Sequence, residues 1–123
     1  MKRIASAIIE VSGENLLVRE PGEDHYKNVG GAVNGGETLE DALIREFSEE
    51  ISGARIRSMA YSHTEISESR SGQYEVNYFR VEIDGSPSPG KDIAEVRLFE
   101  KDFAKSHKYY IKFSDLGESP PTD

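Results

Sequence analysis

The feature that most constrains this chain is the stretch from Thr38 to Ile51. It holds no glycine or proline, and it crowds Glu46, Glu49 and Glu50 onto one end. Thr38 suits an N-cap, and Asp41 three residues on completes a capping-box pattern. Gly53 is the natural stop, so the spacing predicts one amphipathic helix running through Ile51. At roughly 100° per residue, Glu49 falls about 60° to one side of Glu46 and Glu50 about 40° to the other. Leu43, Phe47 and Ile51 form an apolar ridge beside that acidic arc, and Arg45 lies just beyond Glu49. Like charges one turn apart destabilise a helix by a few tenths of a kcal/mol per pair in water. The arc therefore calls for solvent or for something positive.

Three carboxylates beside a glycine-rich loop, Gly30-Gly31 to Gly35-Gly36, suit a hard, oxygen-seeking cation such as Mg²⁺. Such an ion polarises phosphoryl groups and acidifies a bound water, which points to metal-assisted hydrolysis at phosphorus. Thiolate chemistry is excluded because the chain has no cysteine. His25, His63 and His107 are isolated and lack zinc-ligand spacing.

With 123 residues the chain makes one domain. A net charge of −8 gives it no general attraction for extended nucleic acid or an anionic membrane. Neither a signal-type leader nor an apolar stretch of membrane length is visible, so the expected location is the cytoplasm.

Ile4–Val11 reads as a strand buried on both faces, and Leu16–Arg19 returns as a second after the Ser12–Asn15 turn. Tyr26–Val29 is a short extended piece leading into the glycines. Beyond the helix, Ala54–Ile66, Gln73–Ile83 and Ile93–Phe99 read as strands. The alternation changes phase at Tyr78-Phe79, a sign of a bulge or of burial on both faces. Asp84–Gly90, DGSPSPG, is a loop by composition. A helical turn follows at Lys101–Lys105. Ser106–Leu116 is too apolar to be free and is expected to cover the sheet or pair with a second subunit, and 117–123 reads as a loose tail.

The run Gly31, five residues, Glu37, seven residues, then Arg45-Glu46-Phe47-Ser48-Glu49-Glu50 resembles the Nudix hydrolase signature G-x5-E-x7-R-E-U-x-E-E-x-G-U, where U is bulky and aliphatic. Phe47 stands at the first U; Ser52 replaces the Gly, Gly53 the second U, and Val29 the usual proline. Asp92–Phe103 resembles a second family stretch, E-I-x-E-x-R-W. The resemblance implies an α/β (α+β) fold, an α/β/α sandwich around a mixed sheet, as one domain over 1–116. It implies Mg²⁺ or Mn²⁺ held by Glu49, Glu50 and Glu46, with Glu46 either a ligand or the base that activates water. Arg45 would hold Glu37 and a neighbouring carboxylate in place, and the Gly30 carbonyl would complete the metal shell. Gly31, Arg19 and Asp92 are candidates at the substrate, Asp92 also as an acid from a later loop. Tyr26, Tyr61, Tyr74, Tyr78 and Phe79 are candidates to stack a base, with the sheet core as their alternative role.

The activity implied is cleavage of a phosphoanhydride in a small nucleotide, a nucleoside diphosphate linked to another group, with nucleoside triphosphates foremost. ADP-ribose or another nucleotide sugar, and dinucleoside polyphosphates, are the alternative substrates. A non-catalytic nucleotide sensor is the alternative class, and the state is monomer or homodimer.

Overall fold

A computed structural model describes residues 1–122. Its spine is β1 (Lys2–Val11), in which Ala5, Ala7 and Ile9 are wholly buried. On one edge β1 pairs in parallel with β6 (Gly72–Pro89). Its other edge is shared by β4 (Val29–Ala32) and β2 (Glu14–Arg19), both antiparallel. β5 (Ile51–Ser69) forms a long hairpin with β6. β7 (Glu95–Glu100) pairs with β2, and β3 (His25–Lys27) joins β2 to β8 (Tyr110–Lys112).

Alternation along the strands sends two apolar sets to opposite faces. On one, α1 (Leu39–Glu50) lays Ala42, Leu43 and Phe47 against Ala5, Ala7, Ile9, Phe79 and Val81. Full burial of side chains such as Leu43 and Phe47 contributes about 1.5–3 kcal/mol each. On the other face, α2 (Lys101–Ser106), β8 and α3 (Phe113–Leu116) pack Ala104, Ile111 and Phe113 onto Leu17, Tyr26 and Phe99. The expected mixed sheet between helical layers is present, with the second layer thinned to two short helices. Ser106–Leu116 covers the chain's own sheet.

Three boundaries differ from expectation. Thr38 caps α1 as the pattern requires, but the helix ends at Glu50 and not at Ile51. Ile51 is extended, pairs with Pro89 and is buried in the core, while the Gly90 N–H caps the Glu50 carbonyl at 2.8 Å. Tertiary contacts thus end the helix before Gly53, which lies at a register shift in β5. DGSPSPG is strand, not loop, because Asp84–Pro89 pairs with Ile51–Arg55. Its prolines are tolerated because β6 beyond Val81 has β5 on one edge alone. Finally, the expected tail is folded through Glu118, which makes two hydrogen bonds to Arg97 at 2.8 and 2.7 Å. Asp123 lies outside the described residues.

The phase change at Tyr78-Phe79 has a clear origin. Both are buried because each face of β6 is covered there, Phe79 by the core under α1 and Tyr78 by His63 and Tyr109, and a register shift lies opposite, between Tyr61 and His63.

Candidate active site

The glycine loop delivers the chain from β4 into the first turn of α1, and Arg45 ties the two together. Its guanidinium donates to both Glu37 carboxylate oxygens, from Nε at 2.8 Å and from a terminal nitrogen at 3.1 Å. The same group reaches the Ala32 carbonyl at 3.0 Å, Glu46 Oε1 at 3.1 Å and Glu49 Oε1 at 3.6 Å. Glu37 is fixed in turn by the Asn34 N–H at 2.8 Å. The Arg45 hydrogen bond, with Asn34 second, holds the Glu37 carboxyl below its ordinary range, and Glu37 raises Arg45 in return. A bidentate fork of this kind fixes orientation as well as charge. Arg45 is therefore a clamp on Glu37, Glu46 and Glu49, as its place in the motif implies.

Glu46, Glu49 and Glu50 grade from buried to exposed. The Glu50 residue is 7% exposed and the Glu46 side chain 16%, against 54% for Glu49. Burial pushes the Glu50 carboxyl far above the usual carboxylate range, and a hydrogen bond with Glu46 raises it further. Lys27 and the Gly30 backbone act in the opposite direction. Glu50 Oε1 has no hydrogen-bond partner at all. A buried, unsatisfied acceptor beside a second carboxylate is a place for a cation.

Two glycines make room for it. A Cβ on Gly31 would lie 2.5 Å from Glu46 Oε1 and 2.7 Å from its Cδ, so any side chain there displaces Glu46. Gly30 has φ +150°, and a Cβ on it would overlap the Ala5 carbonyl. The donor set fits a hard divalent cation, although Glu49 is turned to Arg45 and must rotate to join the other two. Among the described residues, the acidic and imidazole groups whose ligand atoms already converge are Glu23, Asp24 and His25. They lie at the start of β3, with Asp24 bonded to His25 at 3.1 Å and the His25 ring stacked on Tyr110. That cluster is a local hydrogen-bonded arrangement of neighbouring residues.

A cavity of about 720 Å³ opens beside this centre, lined by Lys27, Asn28, Gly30, Gly31, Tyr74, Tyr78, Tyr109 and Tyr110 among others. Of the candidate aromatics only Tyr74 and Tyr78 reach it. Tyr26 and Phe79 belong to the two cores, and Tyr61 is exposed. Arg19 is not at the cavity: it is 3% exposed, faces Glu95 Oε1 at 3.4 Å, and lies over the Phe113 ring. A strand end read from sequence gives no hint that the second helical layer folds over Arg19. Asp92 is exposed, at φ +60°, in the turn closed by Ile93 N–H to Gly90 O at 3.3 Å. Gly90 abuts the end of α1, and Asp92 follows it two residues on in the chain. In the second family-like stretch, Glu95 and Arg97 are occupied with Tyr26, Arg19 and Glu118. Sequence reasoning missed Lys27, Asn28, Tyr109 and Tyr110 as cavity residues. The nearness of Lys27 and Asn28 to Gly30-Gly31 is a signal that could have found them, whereas nothing in the chain order points to the tyrosines.

Comparison with known proteins agrees with this geometry. The NUDIX domain profile matches residues 1–115. A search of curated proteins found no match. Among solved structures, the chain is similar to a protein assigned to the nudix hydrolase family from Chromobacterium violaceum. Identity is 31% and the TM-score 0.70, over 81% of this chain and 63% of that one, so this chain spans less than two thirds of that relative. It also resembles the E. coli ORF135 protein, with 23% identity and a TM-score of 0.71 over 86% of this chain and 78% of that one. A MutT NUDIX hydrolase from Burkholderia pseudomallei shares 20% identity, with a TM-score of 0.70 over 80% and 82%. At those identities the last two show a shared fold. With the domain profile matched from end to end of the sheet and the motif folded into one clamped site, this chain belongs to the Nudix family.

Proposed function

We propose that the protein is a metal-dependent pyrophosphohydrolase. It would cleave a phosphoanhydride in a nucleoside diphosphate linked to another group, with nucleoside triphosphates as foremost substrates. The observation that carries this reading is the unpartnered, buried Glu50 Oε1 beside Glu46, on a helix whose Glu46 and Glu49 are clamped by Arg45. Glu49, Glu50 and the Gly30 carbonyl would hold Mg²⁺ or Mn²⁺, with Glu46 beside them as the base. When bound, such an ion neutralises phosphate charge and polarises the phosphorus. Arg45 orients Glu46 and does not touch substrate. Glu46, packed against the cavity residue Gly31, would take a proton from an attacking water. Lys27 and Gly31 line the cavity where the phosphates would enter, and Asp92 is the candidate second acid. Nucleotide sugars and dinucleoside polyphosphates fit the same chemistry. A non-catalytic sensor would have no need of the full set of three glutamates.

No helix among the described residues is long and apolar enough to cross a membrane. We place the enzyme in the cytoplasm, acting alone or as a homodimer on small nucleotides and not on extended nucleic acid. The test is a screen of nucleoside triphosphates, nucleotide sugars and dinucleoside polyphosphates with and without Mg²⁺. Pyrophosphate, orthophosphate and nucleoside monophosphate are read separately. Release of pyrophosphate and monophosphate from triphosphates is expected. Turnover of none of the panel would overturn the reading.

A further inference from the structure

Asn28 lies between β3 and β4 on the wall of the cavity, next to Lys27 in the chain and two residues from Gly30. It is 8% exposed, and neither its Oδ1 nor its Nδ2 has a hydrogen-bond partner. Two other buried asparagines show the usual outcome. Asn15 donates to the Ile9 carbonyl at 3.4 Å. Asn77 donates to the Ile4 carbonyl at 3.2 Å and accepts from Thr64 at 2.8 Å. A carboxamide left unpaired at both ends destabilises the empty protein, so its presence needs a reason.

We infer that Asn28 is the base-reading residue of this cavity: its carboxamide pairs with a nucleobase edge that presents a donor beside an acceptor. The inference rests on the nucleotide-binding reading given above. One wall suits a flat ring, because Tyr78 and Tyr109 line it as a tilted aromatic pair, ring centroids 6.0 Å apart at 47°, against which a base can lie. The phosphate end is fixed by Gly31, which lines the same cavity and backs Glu46. The amide atoms are buried, so an entering base must turn a neighbouring side chain aside. Lys108 and Tyr110 are exposed residues of the cavity lining. Lys108 and Tyr109 also hold left-handed φ values of 53° and 57°, backbone strain of the kind found at ligand sites.

The test is equilibrium binding of AMP, CMP, GMP and UMP to the full chain with Mg²⁺, alongside melting temperatures. Wild type is compared with Asn28→Asp and Asn28→Leu from about pH 6 to 9, because burial raises a carboxyl at such a position as it raises Glu50. An ionised aspartate offers acceptors alone, which suits the two adjacent donors of guanine. The ratio of GMP to AMP affinity should therefore rise about tenfold or more in Asn28→Asp. Asn28→Leu should weaken the preferred monophosphate about tenfold while raising the melting temperature, since two unpaired groups are removed. An unchanged base ratio in Asn28→Asp would overturn the inference. So would Asn28→Leu melting lower with base preference intact, which marks a purely structural amide, or a wild type that binds none of the four. Failure is separable from that of the hydrolase reading. Nucleotide turnover with a ratio indifferent to Asn28→Asp breaks this inference alone, while Asn28-dependent binding without turnover breaks the hydrolase reading alone.

Discussion

Glu50→Gln should make the metal-free protein more stable at neutral pH, by an amount that grows with pH. Glu50 is buried, lacks a partner for Oε1, and has its carboxyl raised from an ordinary value of 4.5 to beyond neutrality, first by burial and then by Glu46. A group whose folded value is raised contributes stability that is fully present below the unfolded value and lost as pH rises through the folded one. Between 4.5 and neutrality the unfolded chain gives up this proton while the native chain keeps it. Each pH unit in that window then costs up to about 1.4 kcal/mol. The ceiling is about 3 kcal/mol at neutral pH, roughly 10 °C in melting temperature for a domain this size. Glutamine keeps the shape, stays neutral and loses the slope. Glu37, Glu75, Glu82 and Glu118 are all lowered by their arginine or amide partners and give slopes of opposite sign, lost as pH falls. They are common to both proteins, so the difference between the two melting curves isolates Glu50. The assay is thermal melting in chelator from about pH 4.5 to 8. The difference should start near zero and widen, and Mg²⁺ should reverse the order by binding the native wild type. A difference that is flat with pH, or that widens the other way, refutes the reasoning.

Other perturbations test the clamp and the layers. Arg45→Lys keeps the charge but loses the fork on Glu37 and the reach to Ala32, so kcat should fall by about 10²-fold with little change in KM. Gly31→Ala should push Glu46 aside and lower kcat by about 10²-fold or more, with an unchanged circular dichroism spectrum. Glu40→Gln, on an exposed part of α1, should leave steady-state kinetics within about twofold of wild type, whereas Glu49→Gln should lower turnover about 10²-fold and be partly rescued by extra Mg²⁺. Truncation after Glu118 should leave the melting temperature nearly unchanged, while truncation before Tyr109 removes Ile111 and Phe113 from the core and should abolish folding or cost several kcal/mol by denaturant titration.

The helix and its acids were legible because local chemistry dictates them. Thr38 and Asp41 cap, Leu43 and Phe47 anchor, and the signature spacing forces Arg45 onto Glu37. What local chemistry does not contain is the partner strand. Asp84–Pro89 has the composition of a loop and becomes strand because Ile51–Arg55 offers it hydrogen bonds, and that same pairing ends the helix at Glu50. Arg19 follows the same rule: at the end of a strand it reads as a candidate at the substrate, yet Glu95 and Phe113, far along the chain, bury it. The cavity was only half visible, since Tyr109 and Tyr110 reach it through the fold-back of a segment that local pattern left without secondary structure.

The most direct test of the account is turnover of a nucleoside triphosphate against Mg²⁺ concentration, for wild type and Glu46→Gln side by side. Wild type should be silent in chelator, rise to saturation with Mg²⁺ and release pyrophosphate with monophosphate. Glu46→Gln should plateau about 10²–10⁴-fold lower at every Mg²⁺ concentration, as loss of a general base requires. Full hydrolysis in chelator, or a Glu46→Gln plateau equal to wild type, would contradict it.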